Sequence, residues 1–174
     1  MNISLRLIEN DDLEMLHRWM NEKHLFPFYM REPISIESVF KKFKLRIGGE
    51  HSIKCMCASI DNVPYGYAQW YLNRSYPNYG AAIIEKEFGF SIDYFIGEPS
   101  FLGKELGSQM LKLLIHQTFP ILGKQDRIAY IGHDNPNQSA IRCTQKAGFI
   151  KDGVFVENGK NCTLYKAIES PPTQ

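Results

Sequence analysis

The chain has 174 residues, 44% of them hydrophobic and 22% charged, with a formal net charge of +1 at pH 7. Such values are typical of one soluble globular domain, and they exclude a strong field that would attract nucleic acid or an anionic membrane. No apolar run approaches the ~18 residues that span a bilayer. Charges follow the amino terminus too soon for a secretory signal, so we expect a cytoplasmic protein.

The first part of the chain predicts one strand and one amphipathic helix. Ser4–Ile8 alternates as strands do, and Asp11 with Glu14 resembles a capping box at a helix start. An aromatic-rich loop, Leu25–Met30, is expected after this helix. The apolar stripe of the helix comprises Leu13, Leu16, Trp19 and Met20.

A second helix and a hairpin are predicted next. Ser35 is a suitable N-cap, and Gly48-Gly49 would end the helix. Ile53–Ile60 and Tyr65–Leu72 predict two strands joined by a turn at Asp61–Pro64.

The second half of the chain alternates strands and helices. Asn135 is expected to cap one helix, with Pro136 in its first turn and Gly148 at its end. Asn158-Gly159 is a strong hairpin signal. In order, we predict a loop at Asn73–Glu87, a strand at Phe88–Ile96, a helix at about Lys104–Thr118, and strands at Asp126–Ile131, Phe149–Phe155 and Cys162–Ile168.

The four cysteines and five histidines show no spacing typical of a metal site. Cys55 and Cys57 would point to one face of a strand, and Cys143 and Cys162 lie far from them in the chain. We therefore predict free thiols, buried or partly exposed, and no metal.

The stretch Ser91–Gln109 is the most informative about function. A predicted strand with one acid, Asp93, passes through Gly97 and Pro99 into a turn, Leu102–Gly107, that opens an apolar helix. The free N–H groups and the dipole at a helix start suit a phosphate. The apolar neighbours of Asp93 imply that its carboxylate has a partner or a raised pKa.

These motifs together resemble the GNAT superfamily of acetyl-CoA-dependent N-acetyltransferases, and within it the bacterial aminoglycoside 6'-N-acetyltransferases. The later helix of the family commonly contains Asn-x-x-Ala and ends in Gly-Phe, which Asn137, Ala140, Gly148 and Phe149 match. The likeness spans roughly residues 3–166 and rests on Leu13–His24, Gly66–Gln69, Ile92-Asp93, Leu102–Lys104 with Leu106-Gly107, Ala140–Cys143 and Lys146–Phe149.

The resemblance implies an α/β (α+β mixed-sheet) fold, with about seven mostly antiparallel strands, a splayed central pair and about four flanking helices. A single acetyltransferase domain would span residues 1–168, followed by a disordered tail at 169–174.

The resemblance also implies acetyl-CoA as co-substrate. Backbone amides of the turn and helix start would hold its pyrophosphate, and the splayed strand would pair with its pantetheine arm. Leu102 and Glu105 depart from the loop pattern Arg/Gln-x-x-Gly-x-Gly/Ala, at its first position and its internal glycine. The expected cofactor residues are Tyr94, Phe95, Ile96, Gly103, Lys104, Leu106, Gly107, Ser108 and Asn137.

Asp93 matches the acid that contacts the substrate amine in the aminoglycoside enzymes, so it is the expected catalytic residue. A protonated amine cannot attack a thioester, and Asp93 would take its proton directly or through water. No spacing indicates an activated cysteine nucleophile, which favours direct transfer. The general acid stays open, because Thr144 stands where many members have Tyr; water or Tyr165 are alternatives.

The expected acceptor is a small-molecule amine, most readily the 6'-amine of an aminoglycoside. Aromatic faces suit sugars or cations, and acids pair with ammonium groups. A siderophore precursor, a polyamine or a protein N-terminus remain alternative acceptors, and a non-catalytic CoA-binding domain is a further alternative. Either a monomer or a homodimer is expected. The expected acceptor-binding residues are Phe28, Tyr29, Gln69, Tyr71, Glu85 and Asp134.

Overall fold

A computed structural model describes residues 2–169. This part of the chain forms seven β-strands and four α-helices, joined by short helical turns. No helix within it is long and apolar enough to cross a membrane. The strands are β1 (Ile3–Leu7), β2 (Lys54–Ile60), β3 (Val63–Leu72), β4 (Phe90–Ile96), β5 (Ile128–Asp134), β6 (Ile150–Glu157) and β7 (Lys160–Ile168), and the helices are α1 (Leu13–Met20), α2 (Ile36–Phe43), α3 (Leu106–Thr118) and α4 (Gln138–Lys146).

The strands form one mixed sheet in the order β1-β2-β3-β4-β5-β7-β6. β1 with β2, β2 with β3, β5 with β7 and β6 with β7 are antiparallel. β4 and β5 are parallel, pairing Phe90 with Ala129 and Ser91 with Tyr130. A parallel pair needs a long crossover, and the chain between these two strands contains α3. The predicted mixed, mostly antiparallel sheet with about four helices is confirmed.

The chain divides into two compact units, so the single domain expected from the sequence stays a prediction. The first unit contains the chain up to Trp70 together with Asp93–Met110, and the second contains Tyr71–Ile92 and the chain from Leu111 onwards. The tail predicted at 169–174 lies, beyond Glu169, outside the described residues.

The first unit is built on the predicted apolar stripe of α1. Its four members, Leu13, Leu16, Trp19 and Met20, are at most 1% exposed. The backbone after β4 passes directly over one of them, because a β-carbon at Gly97 would lie only 2.1 Å from the Trp19 indole. Glycine is therefore required at this close approach.

The second unit has its own apolar cluster and a buried polar link. Asp126 forms an ion pair with Arg74, and it accepts a hydrogen bond from the Gly89 amide at 3.3 Å. A buried carboxylate needs such partners to offset its desolvation. The apolar cluster contains Ala81, Tyr130, Phe155, Cys162 and Leu164, with Ile83, Ile84 and Ile128 packed against it.

Two hairpin turns use left-handed backbone conformations. Asn158-Gly159 has φ values of 50° and 75°, which confirms the predicted turn. Asp61-Asn62 has φ values of 47° and 66°. That turn is shorter than predicted, because β3 already begins at Val63.

The predicted helix caps are partly wrong. Ser35 does cap α2, accepting from the Ser38 amide at 3.2 Å. Asn135 does not cap α4: its N–H still pairs with the Asn161 carbonyl, which prolongs the β-ladder. The helix begins three residues later, and Asn137 accepts from the Ala140 amide at 3.2 Å.

The start of α1 also differs from the prediction of a capping box at Asp11 and Glu14. A short 3-10 turn precedes α1, and the carboxylate of Asp12 accepts from the Glu9 amide at 2.8 Å. Asp12 also forms a 2.6 Å ion pair with Arg6. The capping box is therefore formed by Glu9 and Asp12 ahead of α1, not by Asp11 and Glu14.

The aromatic segment predicted as a loop is helical. It forms a turn at Lys23–Leu25 and a π-type turn at Phe26–Met30, closed by a 3.1 Å bond from the Arg31 amide to the Phe26 carbonyl. This is the correction that matters most for the site, because the turn orients the aromatic side chains.

Candidate active site

Asp93 lies in the middle of β4 and is partly exposed, whereas its neighbours Ile92 and Phe95 are only 2% and 4% exposed. Its Oδ2 accepts a hydrogen bond from Gln69 Nε2 at 2.7 Å. The sequence predicted that this carboxylate needs a partner, and Gln69 is one. The predicted catalytic residue is thus in direct contact with one of the predicted acceptor-binding residues, Gln69.

Two further residues hold the other end of the Gln69 amide. Gln69 Oε1 accepts from Tyr67 Oη at 2.7 Å and from Arg46 Nη1 at 3.3 Å. Tyr67 Oη also lies 3.0 Å from Cys55 Sγ. Neither Tyr67 nor Arg46 was predicted from the sequence. Strand alternation could have indicated Tyr67, two residues before Gln69, but no local signal indicates Arg46.

The electrostatics of this cluster follow from burial. Desolvation raises the pKa of Tyr67 well above its ordinary value and also raises the pKa of Cys55. Desolvation and the charge of Arg46 lower the pKa of Lys42, while the Asp93 carboxylate opposes them. At neutral pH the phenol and the thiol therefore keep their protons, and Asp93 has cations within electrostatic reach.

The helical aromatic turn contacts the same strand. Tyr29 packs edge-on against Phe95, with ring centroids 4.8 Å apart, and Phe95 stacks on Tyr67 at 5.2 Å. Phe28 remains 40% exposed. Of the two aromatic residues in this turn that were predicted to bind the acceptor, Tyr29 is thus joined through packing to the Asp93 strand, and Phe28 is exposed.

The backbone of β3 approaches β4 closely near the predicted pantetheine segment Tyr94–Ile96. A β-carbon at Gly66 would lie 2.9 Å from the Phe95 carbonyl oxygen. The Tyr65 carbonyl accepts from the amides of Gly97 and Glu98 at 2.9 and 3.1 Å. His24, which the sequence analysis did not select, donates through Nε2 to the Ile96 carbonyl at 2.8 Å.

The predicted phosphate turn leads into α3 through two left-handed residues. Gly103 has φ 73° and Glu105 has φ 60°, and α3 begins at Leu106. Glu105 thus keeps a glycine-like conformation although it carries a side chain. The first amides of α3, including those of Gly107 and Ser108, have no intrahelical acceptors and suit an anion.

Two side chains of this turn have local partners. Ser108 Oγ donates to the Glu105 carbonyl at 2.8 Å. The Lys104 ammonium lies 5.3 Å from the centre of the Phe101 ring. Leu102, at the position of the family's Arg or Gln, is 44% exposed.

Four predicted site residues lie in the second unit, and each has a local structural contact. Asn137 caps α4, and Asp134 forms a 2.6 Å ion pair with Lys160. Tyr71 is buried and packs edge-on against Tyr76 at 5.0 Å. Glu85 is exposed and has φ 64°. Their cofactor and acceptor roles stay predictions.

The two protein candidates for the general acid are also buried in this unit. Thr144, with 0% exposure, shares a 2.7 Å hydrogen bond with His133 Nε2. Desolvation lowers the pKa of His133 to about 4, with Asp134 opposing, so the imidazole is neutral at pH 7. Tyr165 is 5% exposed, with its ring centroid 6.1 Å from that of His133.

The cysteines have the predicted character. Cys55, Cys57 and Cys162 are buried, Cys143 is partly exposed, and all four are free thiols. Among the described residues no group of three or more His, Cys, Asp or Glu is placed to hold a metal ion.

A family model decides what kind of protein this is. The model of the acetyltransferase (GNAT) domain matches residues 9–156. The chain belongs to the GNAT acetyltransferase family. The resemblance inferred from the sequence motifs is therefore confirmed, and the protein is an acetyltransferase.

Its relatives include aminoglycoside-modifying enzymes. The chain is 29% identical over 157 residues to the aminoglycoside N(6')-acetyltransferases type 1 of Klebsiella pneumoniae and of Serratia marcescens, covering 87% of this chain and 76% of each relative. Among solved structures, the aminoglycoside acetyltransferase AAC(6')-Ib in complex with coenzyme A and kanamycin is similar, with a TM-score of 0.83, 25% identity and coverage of 96% and 95% of the two chains.

A polyamine enzyme shares the fold at lower similarity. The spermidine N-acetyltransferase of Vibrio cholerae, solved with CoA and spermine, gives a TM-score of 0.73 at 16% identity and covers 95% of each chain. At this identity the likeness concerns the fold alone.

Proposed function

We propose that this protein transfers the acetyl group of acetyl-CoA to the 6'-amine of an aminoglycoside. The relatives named N(6')-acetyltransferases support the substrate class. The observation that carries the chemistry is Asp93, whose partly exposed carboxylate is held at 2.7 Å by Gln69 on a strand of a GNAT fold.

Acetyl-CoA fits the turn before α3. The left-handed Gly103 and Glu105 bring the chain into the helix start, where the amides of Leu106, Gly107 and Ser108 offer donors to a pyrophosphate. Lys104 adds positive charge, and the backbone of Tyr94–Ile96 is the expected partner of the pantetheine arm. The cofactor supplies a thioester, which is an activated acetyl donor.

Asp93 acts on the acceptor. The acceptor arrives as an ammonium ion, and the Asp93 carboxylate takes one proton from it, directly or through water. The neutral amine then forms the new N–C bond as the C–S bond breaks. A backbone amide near Tyr94–Ile96 polarises the thioester carbonyl. The thiolate leaves and takes a proton from water, which in turn takes the remaining proton from the nitrogen of the new amide; the side chains of Thr144 and Tyr165 are buried.

Phe28 and Tyr29 are our candidates for contacts with the sugar ring, since their turn packs on the Asp93 strand through the Tyr29–Phe95 contact. The roles expected of Tyr71, Glu85 and Asp134 in acceptor binding, and of Asn137 in cofactor binding, remain part of the proposal. So do the cytoplasmic location and the choice between monomer and homodimer.

Thiol release from acetyl-CoA tests the proposal. We expect turnover with kanamycin-type substrates that carry a 6'-amine and none with the matching 6'-hydroxyl compounds. Bacteria that express the protein should tolerate the former at higher concentrations, and cells expressing Asp93→Asn should not. Turnover with a polyamine, a hydroxylamine or a peptide, but with no aminoglycoside, would exclude the proposed acceptor and retain the acetyltransferase.

A further inference from the structure

We propose that Gln69 is a positioning residue for Asp93 and that Tyr67 and Arg46 hold its amide in one orientation. The inference rests on the catalytic role of Asp93 in the proposed function. It gives Gln69 a role other than the acceptor contact expected from the sequence, and it adds two residues to the site.

The partners of Gln69 determine which way its amide points. Oε1 faces two donors, the Tyr67 hydroxyl at 2.7 Å and the Arg46 guanidinium at 3.3 Å. Nε2 faces the Asp93 carboxylate at 2.7 Å, and an ionised carboxylate only accepts. A flipped amide would place N–H groups against the guanidinium and an oxygen against the carboxylate. The flip would therefore lose these bonds and add repulsion.

The direction of the bonds continues into the core. Tyr67 has one hydroxyl proton and two neighbours, Gln69 Oε1 at 2.7 Å and Cys55 Sγ at 3.0 Å. The oxygen is the nearer and stronger acceptor, so the phenol donates to Gln69. Burial raises the pKa of Cys55, so its thiol keeps its proton beside this hydroxyl. The bonds run in one direction from Tyr67 through Gln69 to Asp93.

Packing fixes the Tyr67 side chain, from which this series of hydrogen bonds to Asp93 begins. Its ring stacks on Phe95 at 5.2 Å and meets Phe43 edge-on at 5.8 Å, and the residue is 0% exposed. Arg46 lies 5.8 Å from the Phe43 ring. The Tyr67 hydroxyl is therefore held in a fixed place opposite Gln69 Oε1, which favours one orientation of the Gln69 amide toward Asp93.

The consequence for catalysis concerns Asp93 alone. A hydrogen bond from Gln69 to one carboxylate oxygen restricts its rotation and stabilises the ionised form, which is the form that takes the amine proton. Since both ends of the Gln69 amide are already engaged, its main effect on the reaction passes through Asp93. Only its second Nε2 hydrogen could reach an acceptor.

Four variants test the proposal: Gln69→Met, Tyr67→Phe, the double variant, and Tyr130→Phe as a control for losing a buried phenol hydroxyl elsewhere. Gln69→Met should lower kcat on the order of 10- to 100-fold and leave KM for acetyl-CoA unchanged. Tyr67→Phe should lower kcat less. The double variant should match Gln69→Met, because Tyr67 acts through Gln69. Tyr130→Phe should keep kcat.

A measurement without acceptor separates this proposal from the proposed function. The Asp93 carboxyl signal, identified by its absence in Asp93→Asn, is titrated by carbon-13 NMR. We expect its apparent pKa to rise in Gln69→Met, and to rise less in Tyr67→Phe, while Tyr130→Phe leaves it unchanged. This NMR titration tests the positioning role of Gln69 even if aminoglycosides prove not to be acceptors.

Three outcomes would overturn the positioning role. The first is an unchanged Asp93 titration in Gln69→Met. The second is a kinetic effect of Gln69→Met confined to KM for the acceptor, which would make Gln69 a substrate ligand. The third is additivity of the Tyr67 and Gln69 substitutions in kcat, which would mean that Tyr67 acts on the fold and not through Gln69.

Discussion

At the scale of single residues, the carboxylate that we propose to be catalytic is defined by its partner and its exposure. Asp93 lies between the buried Ile92 and Phe95, yet its own side chain is partly exposed and receives a hydrogen bond from Gln69. This combination gives a carboxylate that has a fixed hydrogen-bond donor and is still accessible from solvent. A surface acid would lack the fixed partner, and a core acid would lack the access.

Replacing Asp93 by Asn should reduce turnover while leaving the cofactor site intact. The amide keeps the shape of the side chain but cannot take the amine proton, so kcat should fall on the order of 10²-fold or more. Acetyl-CoA affinity by calorimetry should match the wild type. Near-normal turnover would give Asp93 a structural role.

A second residue-scale feature is Glu105, which holds a left-handed conformation next to the expected phosphate site. Its φ of 60° is one that glycine adopts without cost, and its charge opposes a bound anion. Both properties follow from the same departure from the family pattern.

Glu105→Gly should therefore tighten acetyl-CoA binding. Removing one like charge at a helix start should raise affinity by roughly 2- to 5-fold, and the gain should shrink at high salt. Glu85→Gly is the matched control, because it removes the same charge at an exposed residue with φ 64°. Calorimetry that finds equal effects of the two substitutions would argue against a phosphate site at the start of α3.

At the scale of elements, the helix starts have separate tasks. α3 follows a turn whose amides suit an anion, whereas α2 and α4 start with side-chain caps from Ser35 and Asn137. Because Asn137 was also predicted to bind the cofactor, its two tasks need separation. The capping oxygen and the amide nitrogen are different atoms of one side chain.

Asn137→Ser and Asn137→Ala separate these tasks. Ser keeps a capping oxygen, so its stability should be near wild type, whereas Ala should cost about 1 kcal/mol in urea unfolding, as should the control Ser35→Ala. If the amide nitrogen binds the cofactor, both Asn137 variants weaken acetyl-CoA binding and Ser35→Ala does not. Unchanged affinity in Asn137→Ser would leave Asn137 as a cap only.

At the scale of the whole molecule, buried polar groups link stability to pH. His133 is buried and shares a hydrogen bond with Thr144, and desolvation lowers its pKa to about 4. Between pH 6.5 and 4 the unfolded chain binds a proton at this site that the folded chain does not. Stability from His133 is therefore complete above pH 6.5, is lost as pH falls, and levels off below about 4.

Urea unfolding at pH 7.5 and 4.5 tests whether the free energy of unfolding falls with pH as expected for His133. Wild type should lose up to about 3 kcal/mol more over this range than His133→Gln, because the variant lacks the group that titrates. His116→Gln, at an exposed position of α3, should show the wild-type pH dependence. Equal pH slopes for wild type and His133→Gln would contradict a buried neutral imidazole.

Local sequence information determined the elements that depend on neighbours in the chain. The period of the α1 stripe, the Ser35 cap, the Asn158-Gly159 turn and the helix start after Gly103 each need only a few adjacent residues, and the structure has them all. The order of the motifs along the chain also identified the GNAT family. The need of the Asp93 carboxylate for a partner also followed from one strand and its acid.

Only the tertiary structure decided how distant residues meet. Arg46 and Tyr67 hold the Gln69 amide that contacts Asp93, although Arg46 and Asp93 are 47 positions apart in the chain. No local sequence pattern predicts such a contact. Continued pairing of Asn135 with Asn161 moved the cap of α4 to Asn137. In this case a long-range hydrogen bond outweighed a local preference worth about 1 kcal/mol, which is why sequence reasoning predicted the elements but not these contacts.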